Sequence, residues 1–361
     1  MSPQLAAKHP RWLHSKPGDF VGSGQTPLVD KEDLPDLGLP RVVLIDGHLQ
    51  RHLSDDVAGI RVLALDETDE VIEAHLGRAL DDDEVAADFD AYGALFDIQA
   101  DATVHLIQVC HGDANARVLV HARDNVAATL VQHVAGSGTQ RILTELQAHR
   151  GATIRRDLVQ ETTGKALHMT FTSCDRDATV SDVHLDLDGQ QRRNTTVSRL
   201  DGAGAHVELM GLYLTAGKER SDHWTRVDHA VPDTTSRELY KGVLAGGSRG
   251  SFTGNVFVRK DAQRTNAEQE NRNLLLSRKA LAESTPQLEI FADDVQCGHG
   301  STVGQLDEKA LFFLRARGIG KREAEAMLTK AFAGEVVGAI HTEAVRAHVT
   351  ARIETWFEAS A

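Results

Sequence analysis

The stretch Asp101-Ala-Thr-Val-His-Leu-Ile-Gln-Val109 decides the fold, because its opening returns: Asp177-Ala-Thr-Val180 repeats the first four residues. Related turn-then-strand starts stand at Arg123-Asp-Asn-Val126, Gly151-Ala-Thr-Ile154, Gly204-Ala-His-Val207 and Gly250-Ser-Phe-Thr253. Most of these starts lie 22 to 28 residues apart, and the last interval, 46, is close to two periods. Alternating runs such as Thr129–Val134, Leu167–Phe171, Val183–Leu187, Val207–Leu214 and Asn255–Val258 fill the intervals. A period in the twenties, carried by strands with almost no helical segments, is the mark of a β-solenoid. One coil cannot bury its own apolar face, so coils must stack. A β-sandwich also has many short strands, but nothing makes them recur at one period. The sequence therefore predicts a mainly β chain with a parallel β-helix core over residues 100–306.

Upstream, residues 1–99 read as a proline-rich arm and a small α/β region. Six of the eight prolines fall within the first 40 residues, a density that forbids a long helix or a central strand. Arg41–Asp46 and Arg61–Asp66 read as short buried strands. Asp69–Leu76 and Asp83–Phe96 read as helices, the second with Val85, Phe89, Tyr92 and Phe96 on one face. The acidic run Asp81-Asp82-Asp83-Glu84 is then a solvated helix N-terminus, not a metal site. Downstream, residues 307–361 change to helical periodicity: Glu308–Arg317 capped by Asp307 and stopped by Gly318, then Lys321–Ile340, then Thr342–Phe357. These helices either cap the open end of the stack or form a docking surface.

The totals exclude several classes of function. A formal net charge of −14 leaves no basic stripe for a phosphate backbone, so nucleic acid is not expected. The pairs Arg155-Arg156 and Arg192-Arg193 are isolated and read as solvated strand or turn residues. No apolar run reaches the roughly 18 residues of a membrane span. The first residues lack the apolar core of a signal peptide. The three cysteines, Cys110, Cys174 and Cys297, lie far apart and suit free thiols in a reducing cytoplasm.

Chemistry concentrates between Leu288 and Thr302. Phe291, Asp293, Val295, Cys297 and His299 sit two apart, so in an extended segment all five project from one face, ahead of a Gly/Ser/Thr turn. Thiolate and imidazole both bind iron or zinc, yet two ligands do not close a site; others must converge, or a second subunit must supply them. Cys297 can equally be a small buried hydrophobe. His184, Asp186 and Asp188 imitate a calcium loop but lack its register, so they read as a polar strand face. His223 and His229 read as satisfied histidines on a solenoid face. The run Gly246–Ser251 shares only glycine content with a phosphate loop and lacks the Gly-Lys-Ser/Thr ending.

A longer pattern embeds these residues. It runs through Asp228-His-Ala-Val-Pro232 with Thr234 and Ser236, Tyr240-Lys-Gly-Val-Leu244, Phe252 and Gly254. Ala262, Gln263, Thr265, Ala267, Gln269 and Asn273-Leu-Leu-Leu-Ser277 continue it. Pro286-x-Leu-Glu-Ile290, Ala292-Asp-Asp-Val-x-Cys-x-His-Gly300, Thr302-Val-Gly-Gln-Leu306 and Leu311-Phe-Phe-Leu-Arg-x-Arg-Gly-Ile319 complete it. In these positions the chain resembles the SufB/SufD family, the scaffold subunits of SUF iron–sulfur cluster assembly. The likeness is dense over roughly residues 220–340. Within the family it is similar to the SufD branch: glycines, Gly298 and Gly300, flank His299 where SufB proteins carry glutamates, and the first cysteine is Cys110, so the N-terminal cysteine cluster of SufB is missing.

The resemblance implies a right-handed parallel β-helix between helical ends and a non-enzymatic scaffold in a complex of SufB, SufD and SufC. It implies that His299 faces a SufB cysteine where a transient, nascent iron–sulfur cluster forms, with Cys297 as an accompanying candidate ligand. It also implies that residues 307–361 dock the SufC ATPase. An isolated chain is expected to self-associate as a homodimer through the strand edge that would meet SufB. Two other readings stay open: a polysaccharide-active β-helix enzyme, and a β-helical interaction module without metal chemistry.

Overall fold

The computed structural model describes residues 34–67, 69–80 and 92–360. An N-terminal segment comprises strands β1 (Arg41–Ile45), β2 (His48–Leu49) and β3 (Ile60–Ala64), helix α1 (Glu70–His75) and β4 (Gly93–Ile98). Fifteen further strands follow. They are β5 (Ala102–Cys110), β6 (Asp113–Ala122), β7 (Ala127–Gly136), β8 (Thr139–Ala148), β9 (Thr153–Thr162), β10 (Lys165–Cys174) and β11 (Thr179–Asp188). Then come β12 (Gln191–Leu200), β13 (His206–Thr215), β14 (Arg220–His229), β15 (Thr235–Leu244), β16 (Arg249–Val258), β17 (Thr265–Leu275), β18 (Leu281–Ile290) and β19 (Val295–Gly304). Helices α2 (Glu308–Arg315), α3 (Lys321–Ala339) and α4 (Glu343–Ser360) end the chain.

Odd-numbered strands from β5 to β19 stack into one sheet and even-numbered strands from β4 to β18 into a second, every neighbouring pair parallel. Each coil is thus two strands, and the parallel β-helix expected from the period is what forms. At one end the stack finishes in antiparallel pairs, β1 with the two-residue β2 and β4 with β3. The other end finishes in β18 and β19, two strands of ten residues with no strand beyond them among the described residues.

The repeated start has a local cause. Asn125, Gly151, Asp177 and Gly204 all take positive φ, between 58° and 79°, at the corner before an odd-numbered strand. Asn, Asp and Gly are the residues that tolerate this conformation. The next position is a small residue closed beneath the corner, as at Ala152, Ala178 and Ala205. Gly250-Ser-Phe-Thr253 belongs to β16 of the other sheet, and that is why its interval from Gly204 departs from the period.

Three expectations are corrected, and the polar face at His184 and Asp186 is located. Gly93–Ile98, including Phe96, is a buried strand paired with β3 and β6, because its apolar residues fill the first coil; Val85, Phe89 and the acidic run at 81–84 lie outside the described residues. Arg156, Arg192 and Arg193 are not solvated but fully buried. His184 and Asp186 point into the solenoid with Val180, as does His223, since Val183, Leu185 and Leu187 take the outward face. Finally, α3 and α4 do not cap the stack. Ala333, Val336, Ile340, Val345, Val349 and Ile353 pack on the outside of the odd-numbered sheet, against residues such as Val183, Leu212 and Val243.

The lumen is therefore partly polar, and Arg156 organises its middle. Its guanidinium meets both oxygens of Asp182 at 2.8 and 2.6 Å, Gln132 at 3.0 Å and, across the lumen, Thr170 at 2.9 Å. Burial opposes ionisation of Asp182, but Arg156 and His184 outweigh it and hold the carboxyl well below the usual carboxylate range. A buried pair of this kind is costly to break and much less costly to replace whole. Arg156→Ala should lower stability by about 3–5 kcal/mol in denaturant unfolding. Arg156→Met with Asp182→Leu should recover most of that loss.

Candidate functional site: the open terminal coil

The segment around Cys297 and His299 is not one strand. Ile290 ends β18, residues 291–294 turn, and β19 begins at Val295. Phe291 and Asp293 therefore lie in the turn, while the Gly/Ser/Thr residues expected to turn are strand. The cause is register: Val295 to Gly304 finds ten parallel partners on β17, from Thr265 to Leu274.

On β19 the pairing Ala267–Cys297 and Gln269–His299 puts both side chains on the face that the buried Ala267 and Gln269 take on β17. Cys297 is half-buried and packs with Val256, Val258 and Ala267; burial pushes its thiol up, so it is held protonated. His299 faces the lumen but is exposed, because the stack stops there. At strand spacing the two side chains leave the backbone about 6.6 Å apart, within reach of one ion. Gly298, Gly300 and Gly304 occupy outward positions, where the first two leave at most one Glu270 atom near an added Cβ. The edge of β19 is bare to any approaching backbone.

Directly beneath His299, register stacks Gln269 and then Glu238. The Gln269 amide donates to Glu238, and a Cβ on Gly254 would stand 2.4 Å from that amide nitrogen, so the glycine makes room for it. Burial pushes Glu238 up to about 7, which the Gln269 amide only partly offsets. Glu238 and Gln269 were missed from sequence, since spacings of 31 and 30 residues acquire meaning only once register is known. The column Glu238–Gln269–His299 places a buried acid of near-neutral pKa two coils beneath an exposed imidazole.

Apolar exposure concentrates nearby. Of the eight large hydrophobic side chains exposed among the described residues, Leu281, Ile290, Phe291 and Val303 are on the terminal coil and Phe312, Phe313 and Met327 on α2 and α3. Patches of this sort mark interaction surfaces. Groups of three convergent ligating side chains among the described residues lie elsewhere, at His75–His121–His149 and His133–Glu161–His348. In the second, Glu161 already accepts from His133 at 2.8 Å, His348 at 2.9 Å and Arg352, tying α4 to β9. Ser181, His341 and Asp157 are ordered like a hydrolase relay, at 2.9 and 2.7 Å. Asp157 is better explained as the acceptor for the backbone N–H of His341 and Thr342 at the start of α4. Cys110 and Cys174 are buried free thiols, Cys110 pushed up to about 12 by burial and nearby Asp46. No helix among the described residues is long and apolar enough to cross a membrane.

Taken together, these features define a parallel β-solenoid scaffold with one open terminal coil and helices bound along its side. Residues 105–332 match the family described as SUF system FeS cluster assembly, SufBD core domain, and the chain belongs to that family. It is similar to the iron–sulfur cluster assembly protein SufD of Escherichia coli, 36% identical over 49% of this chain and 42% of that protein. A SufBD family protein of Mycobacterium leprae is 32% identical over 70% of this chain and 68% of its own. One from Synechocystis is 27% identical over 89% and 80%. The aligned region thus spans less than half of the E. coli relative.

The buried acid gives a pH signature. Glu238 rises from the ordinary 4.5 to about 7 in the folded chain. The native state then holds a proton that the unfolded chain releases, so this contribution to stability is full below about pH 4.5 and is lost as pH climbs to about 7. Glu238→Gln should gain about 1–3 kcal/mol relative to the parent between pH 5 and pH 8 in denaturant unfolding. Parallel curves would contradict the burial of an ionisable acid here.

Proposed function

We propose that this chain is a non-catalytic scaffold subunit that shares the assembly of an iron–sulfur cluster with a second solenoid, SufB. The observation that carries the reading is the open terminal coil: two full-length strand edges, a fringe of exposed apolar side chains, and one lumen-facing imidazole at the rim. Another solenoid offering its own terminal edges would continue both sheets and satisfy their backbone groups. His299 would then stand at the seam and donate an imidazole to the nascent cluster, the substrate of assembly, with the partner supplying thiolate. Cys297 is a second candidate ligand, available once a metal displaces its proton. Half a coordination set on each subunit lets relative motion open or close the site.

Residues 307–361 are proposed to dock the SufC ATPase, supported by Phe312, Phe313 and Met327, which are exposed on α2 and α3 among the described residues. ATP hydrolysis is assigned to that partner. Three free cysteines suit a reducing cytoplasm.

Co-expression with SufB and SufC, followed by anaerobic absorption spectroscopy and iron analysis, tests the proposal. His299→Ala should leave the three proteins co-purifying and lower cluster content by about 10-fold or more, as loss of a metal-site residue does. Normal cluster content in an intact complex would remove His299 from the site. In isolation the chain should run as a homodimer in light scattering. Ser301→Pro, which blocks one backbone donor on the edge of β19, should shift it toward monomer.

A further inference from the structure

The outer face of the even-numbered sheet carries a cluster that nothing at the terminal coil requires. Register aligns Asp97, His121 and Gln147 across β4, β6 and β8, and His149 follows just past the end of β8. The segment after α1 is fastened over them: Gln147 donates to the His75 carbonyl at 2.6 Å, and the buried Glu145 accepts from Gly77 N–H at 2.9 Å. His75 is thereby held against the other two rings. Ring centroids stand 4.0 Å apart for His75–His121, 4.7 Å for His121–His149 and 5.5 Å for His75–His149. One nitrogen from each ring lies within 4.8 Å of the others.

The hydrogen bonding of these rings is incomplete in a directed way. His121 Nδ1 meets Asp97 at 3.1 Å and His149 Nδ1 meets Asp175 at 3.0 Å. His75 Nδ1 and His149 Nε2 are buried and have no partner among the described residues. A carboxylate on one ring nitrogen fixes the tautomer and turns the opposite lone pair toward a cation, the arrangement that surrounds histidine-bound metals. Two buried ring nitrogens without partners, close to a third ring, are unfavourable until something occupies the space between them.

We propose that His75, His121 and His149 bind one late first-row divalent cation, through His75 Nδ1, His121 Nε2 and His149 Nε2, with Asp97 and Asp175 as supporting carboxylates. Imidazoles without thiolates or directly bound carboxylates select Zn²⁺ and its neighbours over Mg²⁺ or Ca²⁺. Bonds of about 2.0–2.1 Å require the three nitrogens to close inward by ring rotation. The two carboxylates balance the charge of the ion. The ion would cross-link the end of α1 to β6 and the turn beyond β8, a bond between the N-terminal region and the solenoid wall.

The test uses the full chain without an affinity tag, stripped with chelator, in a Cys297→Ser, His299→Ala background so that the terminal coil cannot contribute. Titration with ZnCl₂ by calorimetry should give one equivalent bound, and CoCl₂ should give the visible absorption of a four-coordinate site. His149→Gln, at a half-exposed position with small risk to folding, should abolish the cobalt bands and weaken zinc binding at least ~10-fold; Asp175→Asn should weaken it less. Zinc should raise the melting temperature of the parent and leave that of His149→Gln unchanged. His348→Ala should behave as the parent. Failure of the parent to bind zinc, or identical titrations for the parent and His149→Gln, overturns the proposal and leaves the reading of the terminal coil untouched.

Discussion

A parallel stack of strands satisfies its backbone groups by adding the next strand, and it has to stop somewhere. In this protein the two ends stop differently. At the start the sheets finish in short antiparallel strands, two residues in β2 and five in β3, which present little edge. At the finish, β18 and β19 present ten residues each. Short edges are a usual protection against unwanted pairing, and long flat ones invite it. The asymmetry gives the molecule a direction: a closed end, a wall and an open mouth. Position along that axis decides what each histidine can do.

His299 shows this most simply. Its side chain occupies a lumen-facing register position that is buried one coil below, at Gln269, and yet it is exposed. The same column that would have closed over it supplies a buried acid two coils down. Deeper in the lumen, Arg156 is paired with Asp182, and Asp186 accepts from Ser221 and Asn194. Buried charge is tolerated where partners are fixed by neighbouring coils. The polar lumen is thus a consequence of stacking, since each coil can supply the partner that its neighbour lacks.

The helices follow the same economy of surfaces. α3 and α4 cover the outward apolar face of the odd-numbered sheet, held by Asp157, Glu161 and the contact of Glu335 with Lys241 at 2.8 Å. By lying along the wall they leave the mouth free, and α2 carries its phenylalanines outward. The N-terminal region covers part of the opposite wall, where His75 meets His121 and His149. Both walls are therefore tied to flanking segments by histidine: at α4 one carboxylate, Glu161, accepts from His133 and His348, whereas the other tie brings three rings together with separate carboxylates on two of them.

The solenoid was legible because its corners impose a local demand that recurs: a left-handed residue, a small residue, then a strand, as in Gly151-Ala-Thr-Ile154 and Asp177-Ala-Thr-Val180. Helix ends were legible for the same reason, Asp307 accepting from Lys309 N–H and Gly318 at φ 86°. Cys297 and His299 could be placed two apart on one face by alternation alone. What alternation cannot say is which face is inside, and so the polar pairs at Arg156 and Arg192 read as solvated from sequence whereas the lumen holds both arginines. Nor can it pair Glu238 with Gln269, or bring His75 to His149 across 74 residues, because those meetings depend on register and on where an N-terminal segment lies down. Sequence determined the repeat and the starts of the three C-terminal helices, which depend on a few neighbouring residues. Tertiary structure decided burial, partners and the exposed rim, which depend on coils far apart in the chain.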